Sequence, residues 1–414
     1  MPDEADGEDA GASVRPTGGS FRGRPHLVAV LMIAAALAVA LVVLELCVDR
    51  LETNYVHTLL ASGKDVKALR SLALQRRAFE QPDLLPLYGS SELIKPVPNR
   101  AMDFFHTYPT GFNIFPVGKA GTYPLIMLQH FVGVGPEIRG RKVAISISAG
   151  WFRESEVIPD QYRGNFLLPT AREFLFSTHV NYALRRAVAR RIATFQETYE
   201  SDSVVTFAIR HLSSDSAFDR VAYWAAWPLG RLQILVSRWQ DHFEIVVAAL
   251  RLRMSPASIQ RTPQELDWPK LIERAGGGGD PPGDAADPPI LTARNRDADA
   301  EFLAMVRNSP AWGDLDLLLQ SLEALGARPL LLCTPMNGRD LAGNGVSRAA
   351  RDVFYRRMAE AVARSHVAFC QFADHDADRN FVYDRSDHLS GKGWMYYNRA
   401  LDDFVHDRLK DESR

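Results

Sequence analysis

The sequence predicts an α/β protein: a parallel five-stranded sheet flanked by helices, with one N-terminal transmembrane helix and a mostly helical insert. Two observations predict the sheet. Five short runs are apolar at nearly every position, and helical patterns lie between them. Strands buried on both faces of a parallel sheet have this composition, whereas strands with one solvated face alternate apolar and polar residues. The third observation, a long uncharged apolar run near the N-terminus, predicts the membrane helix.

This N-terminal run is long enough to be a membrane anchor. Leu27–Leu44 contains neither a charged residue nor a proline. Glu45 interrupts the run, and "LCV" then extends the apolar stretch to Val48. About 20 helical residues cross a bilayer core of ~30 Å. A cleaved signal peptide would have a shorter apolar region followed by a small-x-small site, and the residues that follow offer none. Residues 25–48 are therefore expected to form an uncleaved transmembrane helix.

The charges before this run predict the orientation of the anchor. Arg15, Arg22 and Arg24 precede it, and the end of a membrane span that carries the excess of Lys and Arg stays in the cytoplasm. Residues 1–24, rich in small and acidic residues, are expected to be a disordered cytoplasmic tail. We therefore predict a single-pass protein of the cytoplasmic (inner) membrane, with residues 49–414 in an extracytoplasmic or periplasmic domain.

Five apolar runs in this outer part are the predicted strands, and three helical patterns between them are the clearest. The strands are Leu84–Tyr88, Phe112–Gly118, Val143–Ser148, Pro329–Thr334 and Val367–Phe372. The helical patterns are Tyr123–Val134, Arg172–Tyr199 and Asp299–Gly326. Strands that alternate with helices along the chain are typical of a doubly wound sheet.

Residues of about 153–310 contain no strand-like run and are expected to form a mostly helical insert. Within it, "AGGGGDPPGDAADPP" at 275–289 has the composition of a flexible linker. Arg186, Arg190 and Arg191 lie close together at helical spacing. They indicate either a solvated helix face or a contact with an anionic polymer or a membrane surface.

The composition argues against several classes of protein. The formal net charge of −2 gives no basic field of the kind that binds nucleic acid. The three cysteines form neither a disulfide framework nor a paired metal motif. The run "DHDAD" at 374–378 begins like a calcium loop, but Arg379 stands where such a loop needs glycine. We therefore predict no metal site.

Polar clusters follow four of the predicted strands, where open parallel sheets place their sites. The clusters are Gly89-Ser90-Ser91-Glu92, Gly150-Trp151-Phe152, Pro335-Met336-Asn337-Gly338 and "YDRSDHLSGKGW" at 383–394. Each cluster alone has an ordinary explanation, since a serine caps helices and a single histidine is often structural. Together they place serine early, glycine and asparagine in the middle, and aspartate and histidine last.

That order resembles the SGNH (GDSL-type) hydrolase superfamily, which has a G-x-S block, a glycine donor, an asparagine donor and a late D-x-x-H. The blocks "LYGSSEL", "YPTGFNIFPVGKAGT", "ISISAGWF", "TPMNG" and "DHLSGKGWMYYNRAL" narrow the resemblance to the DltD family. These are membrane-anchored D-alanine transfer proteins of the teichoic acid D-alanylation system. The resemblance implies an SGNH-hydrolase-like domain outside the membrane.

The resemblance also implies partners and residue roles. It predicts a DltB-like membrane-bound O-acyltransferase, a D-alanyl donor pathway and an anionic cell-envelope polymer as partners. Ser91 corresponds to the nucleophile and His388 to the general base and acid. The backbone N–H groups of Ser91 and Gly150 and the side-chain amide of Asn337 correspond to oxyanion donors. No cofactor is expected, because these groups supply the chemistry.

Three further residues are expected to bind substrate beside this site: Ser90 next to the nucleophile, Trp151 next to Gly150, and Gly121 in the turn "VGKAGT" after the second strand. This turn lacks the G-x-x-x-x-G-K-[ST] pattern of a phosphate-binding loop. We interpret it as a strand-to-helix turn near the site, as in the family.

The aspartate of the triad departs from the family pattern. D-x-x-H would place it at position 385, which is Arg385. Asp384 is one residue too early and Asp387 directly precedes the histidine. We prefer Asp384, since a loop absorbs one extra residue whereas adjacent side chains diverge. Asp387 is the alternative, and is otherwise expected to cap the helix that begins near Ser390.

Three functions fit these residues. The first is transfer of an acyl group, D-alanyl by resemblance, to or from Ser91 on an envelope polymer. The second is a polysaccharide O-acetyl esterase or acetyltransferase, which would use the same residues. The third is a non-catalytic scaffold that holds an acyltransferase and its polymer together.

Overall fold

The structure, a computed structural model, describes residues 25–62, 71–154, 157–251, 262–276 and 297–409. Contacts divide the chain into two units, with the boundary after Asp49. The predicted tail, residues 1–24, and all but the first two residues of the predicted linker, 275–289, lie outside the described residues.

The larger unit contains the predicted parallel sheet. Its strands are β1 (Leu84–Tyr88), β2 (Asn113–Val117), β3 (Lys142–Ile147), β4 (Arg328–Cys333) and β5 (Ala368–Gln371). They lie in the order β2–β1–β3–β4–β5, and every neighbouring pair is parallel. The prediction of a five-stranded parallel sheet flanked by helices is confirmed, with strand ends within one residue of those expected.

Burial on both faces explains why β1 is continuously apolar. Successive side chains of a strand point to opposite faces of the sheet. Leu84 and Tyr88 pack into one hydrophobic cluster, whereas Leu85 and Leu87 pack into another. All five residues of β1 are buried. A polar residue at any of these positions would therefore lie in a core, so the pattern does not alternate.

Helices cover the sheet and fill the insert. In chain order the described helices are α1 (Pro25–Ser62), α2 (Leu72–Glu80), α3 (Ala101–Thr107), α4 (Pro124–Val134), α5 (Pro159–Asn165), α6 (Leu168–Leu175), α7 (Tyr182–Ile192), α8 (Ser203–Ser213), α9 (Ala217–Arg251), α10 (Trp268–Gly276), α11 (Ala298–Asn308), α12 (Ala311–Leu325), α13 (Gly338–Gly343), α14 (Arg348–Ala363) and α15 (Gly391–Val405). Between β3 and β4 the described residues contain no strand.

Two predicted helices are wrong as continuous elements. The pattern over 172–199 is divided between α6, α7 and a 3₁₀ segment, and Asn181 begins α7 by accepting a hydrogen bond from the Leu184 N–H at 2.8 Å. The pattern over 299–326 is divided into α11 and α12 at Ser309 and Pro310. Proline has no N–H to donate and disfavours a helical conformation in the residue before it.

The residues of the predicted anchor, 25–48, lie in α1. Among the described residues, no helix combines the length and the apolar character that a bilayer span requires. The membrane anchor stays a prediction.

The arginines of α7 make contacts within the protein. Arg186 and Arg190 both pair with Asp215, and Arg191 pairs with the buried Asp314 at 2.7 Å. These ion pairs connect α7 to the start of α9 and to α12. Arg190 and Asp215 are exposed, so this part of the cluster is a solvated face, as one of the two alternatives predicted. Arg191 is instead held against α12 by the buried Asp314, a packing role that neither alternative included.

Candidate active site

The predicted site residues lie at the carboxyl edge of the sheet. Ser91 follows β1, Gly150 follows β3 and Asn337 follows β4, while the loop after β5 carries Asp384 and His388. Carboxyl ends of parallel strands meet at one edge, which brings together residues far apart in the sequence. Ser91 and His388 are separated by 297 positions.

Three side chains form a chain of hydrogen bonds. Ser91 Oγ lies 2.6 Å from His388 Nε2. His388 Nδ1 lies 2.5 Å from Asp384 Oδ2. With the Nδ1 proton donated to the carboxylate, Nε2 has a lone pair that accepts the proton of the serine hydroxyl. This is the geometry in which histidine removes a proton from a serine nucleophile.

A short turn brings Asp384 back to the imidazole. Val382 and Leu389 form an antiparallel bridge, and Tyr383 N–H donates to His388 O at 3.0 Å. Inside this turn Asp384 Oδ1 accepts hydrogen bonds from the backbone N–H groups of Ser386 and His388. One carboxylate oxygen therefore holds the turn while the other contacts the ring.

Asp384 is held in its ionised form. Burial alone would raise the pKa of its carboxyl, but the hydrogen bonds and charge of His388 outweigh burial and lower the pKa below its usual value. The charge of Lys95 acts in the same direction. An ionised carboxylate hydrogen-bonded to a histidine ring favours the protonated, imidazolium form of that ring.

Asp387 has a different set of contacts. Its Oδ2 pairs with Arg153 at 2.5 Å, and its Oδ1 accepts the Asn337 N–H at 2.7 Å. Its side chain is fully buried, its φ is +59°, and burial raises its pKa against the opposing charge of Arg153. The expected helix-capping role is wrong, because Ser390 caps α15 by accepting from the N–H groups of Lys392 and Gly393.

Two of the three predicted oxyanion donors already have partners. Gly150 N–H donates to Ser148 Oγ at 3.2 Å. Asn337 Nδ2 donates to Asp384 O at 3.2 Å, which leaves its second amide hydrogen available. For Ser91 N–H, the described part of the chain provides no hydrogen-bond acceptor.

Ser90, directly before Ser91 in the chain, is buried. Its Oγ accepts the Gly121 N–H at 3.0 Å, and Gly121 has a φ of +77°. Its own N–H donates to Glu92 Oε1 at 2.9 Å. Ser90 and Gly121 thus connect the β1 and β2 loops to each other. Their role in substrate binding stays a prediction.

Trp151 is 8% exposed and packs against the ring of Tyr123, with 5.5 Å between ring centroids. Its backbone carbonyl accepts the hydroxyl of Ser309 at 3.1 Å. In this structure Trp151 is part of the core next to the β3 loop, and substrate binding by its ring stays a prediction.

Gly118 permits the close approach of the β1 and β2 loops. Its φ is +141°, and a β-carbon there would lie 1.9 Å from Gly89 O. We expect Gly118→Ala to destabilise the protein by more than roughly 2 kcal/mol, since both the backbone conformation and the neighbouring carbonyl oppose a side chain. Urea unfolding of the purified protein measures this change.

Gly313, inside α12, is the matched control because a β-carbon there meets nothing within 4 Å. Gly313→Ala is expected to stabilise the protein by about 0.5–1 kcal/mol. Equal free energies of unfolding for both variants would show that the β1–β2 contact is not tight.

Comparison with known proteins identifies the family of the chain. The model of the family described as DltD protein matches residues 65–282 and 287–406. The chain belongs to the DltD family. Protein DltD of Bacillus subtilis (strain 168) is 20% identical over 359 residues, covering 83% of this chain and 88% of the relative. Protein DltD of Staphylococcus aureus (strain NCTC 8325 / PS 47) is 19% identical over 355 residues, covering 81% and 84%. The resemblance found in the motif blocks is confirmed.

Two residues of this DltD-family chain were missed from the sequence. Glu92 is 5% exposed and accepts the Ser90 N–H, and burial raises the pKa of its carboxyl. Arg153 pairs with Asp387 next to Gly150, since a β-carbon at Gly150 would lie within 4 Å of both side chains. Their positions in the sequence could have indicated them, because Glu92 follows the Gly-Ser-Ser cluster and Arg153 follows the Gly-Trp-Phe cluster. The described residues hold no group of three or more His, Cys, Asp or Glu placed to bind a metal ion.

Proposed function

We propose that this protein transfers an acyl group on a cell-envelope polymer outside the membrane, with Ser91 as nucleophile, His388 as general base and acid, and Asp384 as the orienting carboxylate. The observation that carries the proposal is the continuous hydrogen-bond chain from Ser91 through His388 to Asp384. The SGNH-hydrolase type of the site is part of this proposal.

The proposed reaction has two halves. His388 Nε2 takes the Ser91 proton while Oγ attacks the carbonyl carbon of an acyl ester, and the imidazolium then gives that proton to the departing alcohol. An acyl-serine ester remains. A polymer hydroxyl, or water, then attacks this ester with its proton passing through His388 again, and Ser91 Oγ leaves as a hydroxyl. The first acceptor gives transfer and the second gives hydrolysis.

The negative oxygen of each tetrahedral intermediate needs hydrogen-bond donors. Ser91 N–H and the second amide hydrogen of Asn337 are the proposed donors. Gly150 N–H joins them if the oxyanion replaces Ser148 Oγ as its acceptor. A charged oxygen is the stronger acceptor, so this exchange is favourable. Losing one donor of this kind typically costs roughly 2.7–4 kcal/mol of barrier.

Membership of the DltD family implies involvement in D-alanylation of teichoic acids. We therefore propose that the acyl group is D-alanyl and the acceptor an anionic polymer, with a DltB-like membrane-bound O-acyltransferase as partner. Lys95, four residues after Ser91, is near enough to Asp384 to lower its pKa. A cation near the carboxylate of Asp384 would attract an anionic acceptor.

Labelling with a fluorophosphonate probe tests the nucleophile. The purified protein should be labelled at Ser91, and the label should be absent from Ser91→Ala. Released product then separates the two catalytic alternatives: D-alanine supports the proposal, and acetate would favour a polysaccharide esterase. No labelling of the folded protein would favour the scaffold function.

A reporter fusion tests the proposed location. We propose that residues 25–48 anchor the protein with its N-terminus in the cytoplasm, on the basis of Leu27–Leu44 and the preceding arginines. Alkaline phosphatase fused after Arg414 should therefore be active, since it folds only outside the cytoplasm. A cytoplasmic reporter fused at the same residue is the control. Activity of that second reporter alone would refute the orientation and remove the polymer as substrate.

A further inference from the structure

We infer that the outer face of α9, the face defined by Phe218, Val221, Leu232, Trp239, Phe243 and Leu250, lies on the surface of a lipid bilayer. This inference concerns a surface separate from the candidate active site. It rests on the proposed anchor for one of its arguments, and its test is independent of catalysis.

The helix α9 is apolar on two opposite sides. Tyr223, Ile234 and Ile245 are buried against the rest of the unit. On the other side Phe218 is 76% exposed and Leu250 is 76% exposed. A surface helix ordinarily presents charged and polar residues to solvent opposite its buried stripe. An exposed apolar face of this length marks a contact surface.

Helical spacing aligns the outer face in one narrow arc. Its members follow one another at separations of 3, 4, 7 or 11 residues, which return to the same side of a helix with about 3.6 residues per turn. Over the 33 residues from Phe218 to Leu250 the arc is about 48 Å long. Every charged residue of α9 lies outside this arc.

The chemistry of the outer face favours lipid over a protein partner. Protein interfaces carry roughly one hydrogen bond per 100–200 Å², whereas Trp239 is the only one of the six side chains of this face that can form one. Helices that lie in a membrane interface combine Trp, Phe and Leu on one face with arginines on the flanks. The outer face supplies the Trp, Phe and Leu side chains of this pattern, and the exposed Arg251 follows Leu250 at the end of α9. Arg220 and Arg231 do not contribute, because the first lies over the Tyr182 ring and the second donates to Phe176 O.

The chain itself limits the distance from α9 to the membrane. His242 on α9 is hydrogen-bonded to Glu52. Glu52 is four residues after Val48, the last residue of the proposed anchor. Four residues span at most about 14 Å in any conformation. If the anchor crosses the bilayer, the part of α9 around His242, in the second half of the helix, is therefore within chain reach of the membrane surface.

Fluorescence quenching by lipids tests the inference on the full-length chain. An NBD label is placed at Leu232→Cys in a Cys47→Ser, Cys370→Ser background, because these two thiols are the ones not fully buried. The matched control is Glu360→Cys, an exposed position on α14. Both proteins are reconstituted alone into phosphatidylglycerol vesicles with and without doxyl-labelled lipid.

We expect the label at 232 to emit at shorter wavelength and to lose most of its fluorescence with doxyl lipid, while the label at 360 does neither. Adding Phe243→Asp should reverse both changes. A label at 232 that behaves like the one at 360 overturns the inference. A blue shift without lipid quenching also overturns it, because a second copy of the chain would then cover the face.

Flotation of the vesicles separates this inference from the proposed function. Protein that floats with the vesicles but shows no lipid quenching refutes the α9 contact and leaves the anchor intact. Protein that fails to float refutes both the anchor and the bilayer contact. Neither outcome changes the predictions for Ser91, since no acyl group takes part in the measurement.

Discussion

Replacing Ser91 by alanine is expected to abolish acylation of the envelope polymer while the protein remains folded. The hydroxyl lies 2.6 Å from His388 Nε2 and has no substitute as nucleophile in the proposed mechanism. Removing the serine of such a unit lowers the rate by a factor on the order of 10⁶. The measurement is ester-linked D-alanine released by mild alkali from cells in which the variant replaces the natural protein.

Ser90→Ala is the matched control for this variant. It carries the same hydroxyl one residue earlier in the chain, but that hydroxyl accepts the Gly121 N–H and donates to Lys119 O instead of contacting the imidazole. We expect this variant to retain part of its activity, because the hydrogen bond that it loses positions the loop without taking part in the reaction. If Ser91→Ala cells acylate the polymer normally, Ser91 is not the nucleophile and the scaffold function is favoured.

The sheet could be predicted because its strands obey a simple physical constraint. Strands buried on both faces must be apolar throughout, and this property can be recognised in a single sequence. The ends of the helices were harder to predict than the strands. Ser309 and Pro310 interrupt a good helical pattern because of a local backbone restriction, and the Asn181 cap starts a new helix after α6. The apolar residues keep the same helical spacing on both sides of each interruption, so this spacing does not reveal where the helices end.

The site could be predicted in its local parts and not in its long-range contacts. The preference for Asp384 followed from the length of the loop, and the structure places its carboxylate against His388. The partners of Asp387 could not be inferred in the same way. Its ion pair with Arg153 joins residues 234 positions apart. Its hydrogen bond to Asn337 N–H requires the loop after β4 to lie beside it. Such contacts exist only once the sheet has formed.

Asp384→Asn and Asp387→Asn are expected to separate catalysis from stability. Asparagine keeps the shape of either side chain but removes its charge. At 384 this leaves the imidazolium without its counter-charge and allows the wrong tautomer of His388, which can lower the rate by a factor on the order of 10⁴ with the geometry intact. We therefore expect a large loss of activity for Asp384→Asn with little change in unfolding.

At 387 the expected effect is mainly on stability. Asparagine tolerates the observed φ of +59° and still accepts the Asn337 N–H through its amide oxygen. It leaves Arg153 without a partner charge in a largely buried pair, which typically costs roughly 3 kcal/mol.

Single-turnover deacylation of a model D-alanyl ester, measured beside urea unfolding, distinguishes the two variants. A slower reaction for Asp387→Asn than for Asp384→Asn would transfer the orienting role to Asp387. Rates near that of the unchanged protein for both would mean that neither aspartate completes a triad.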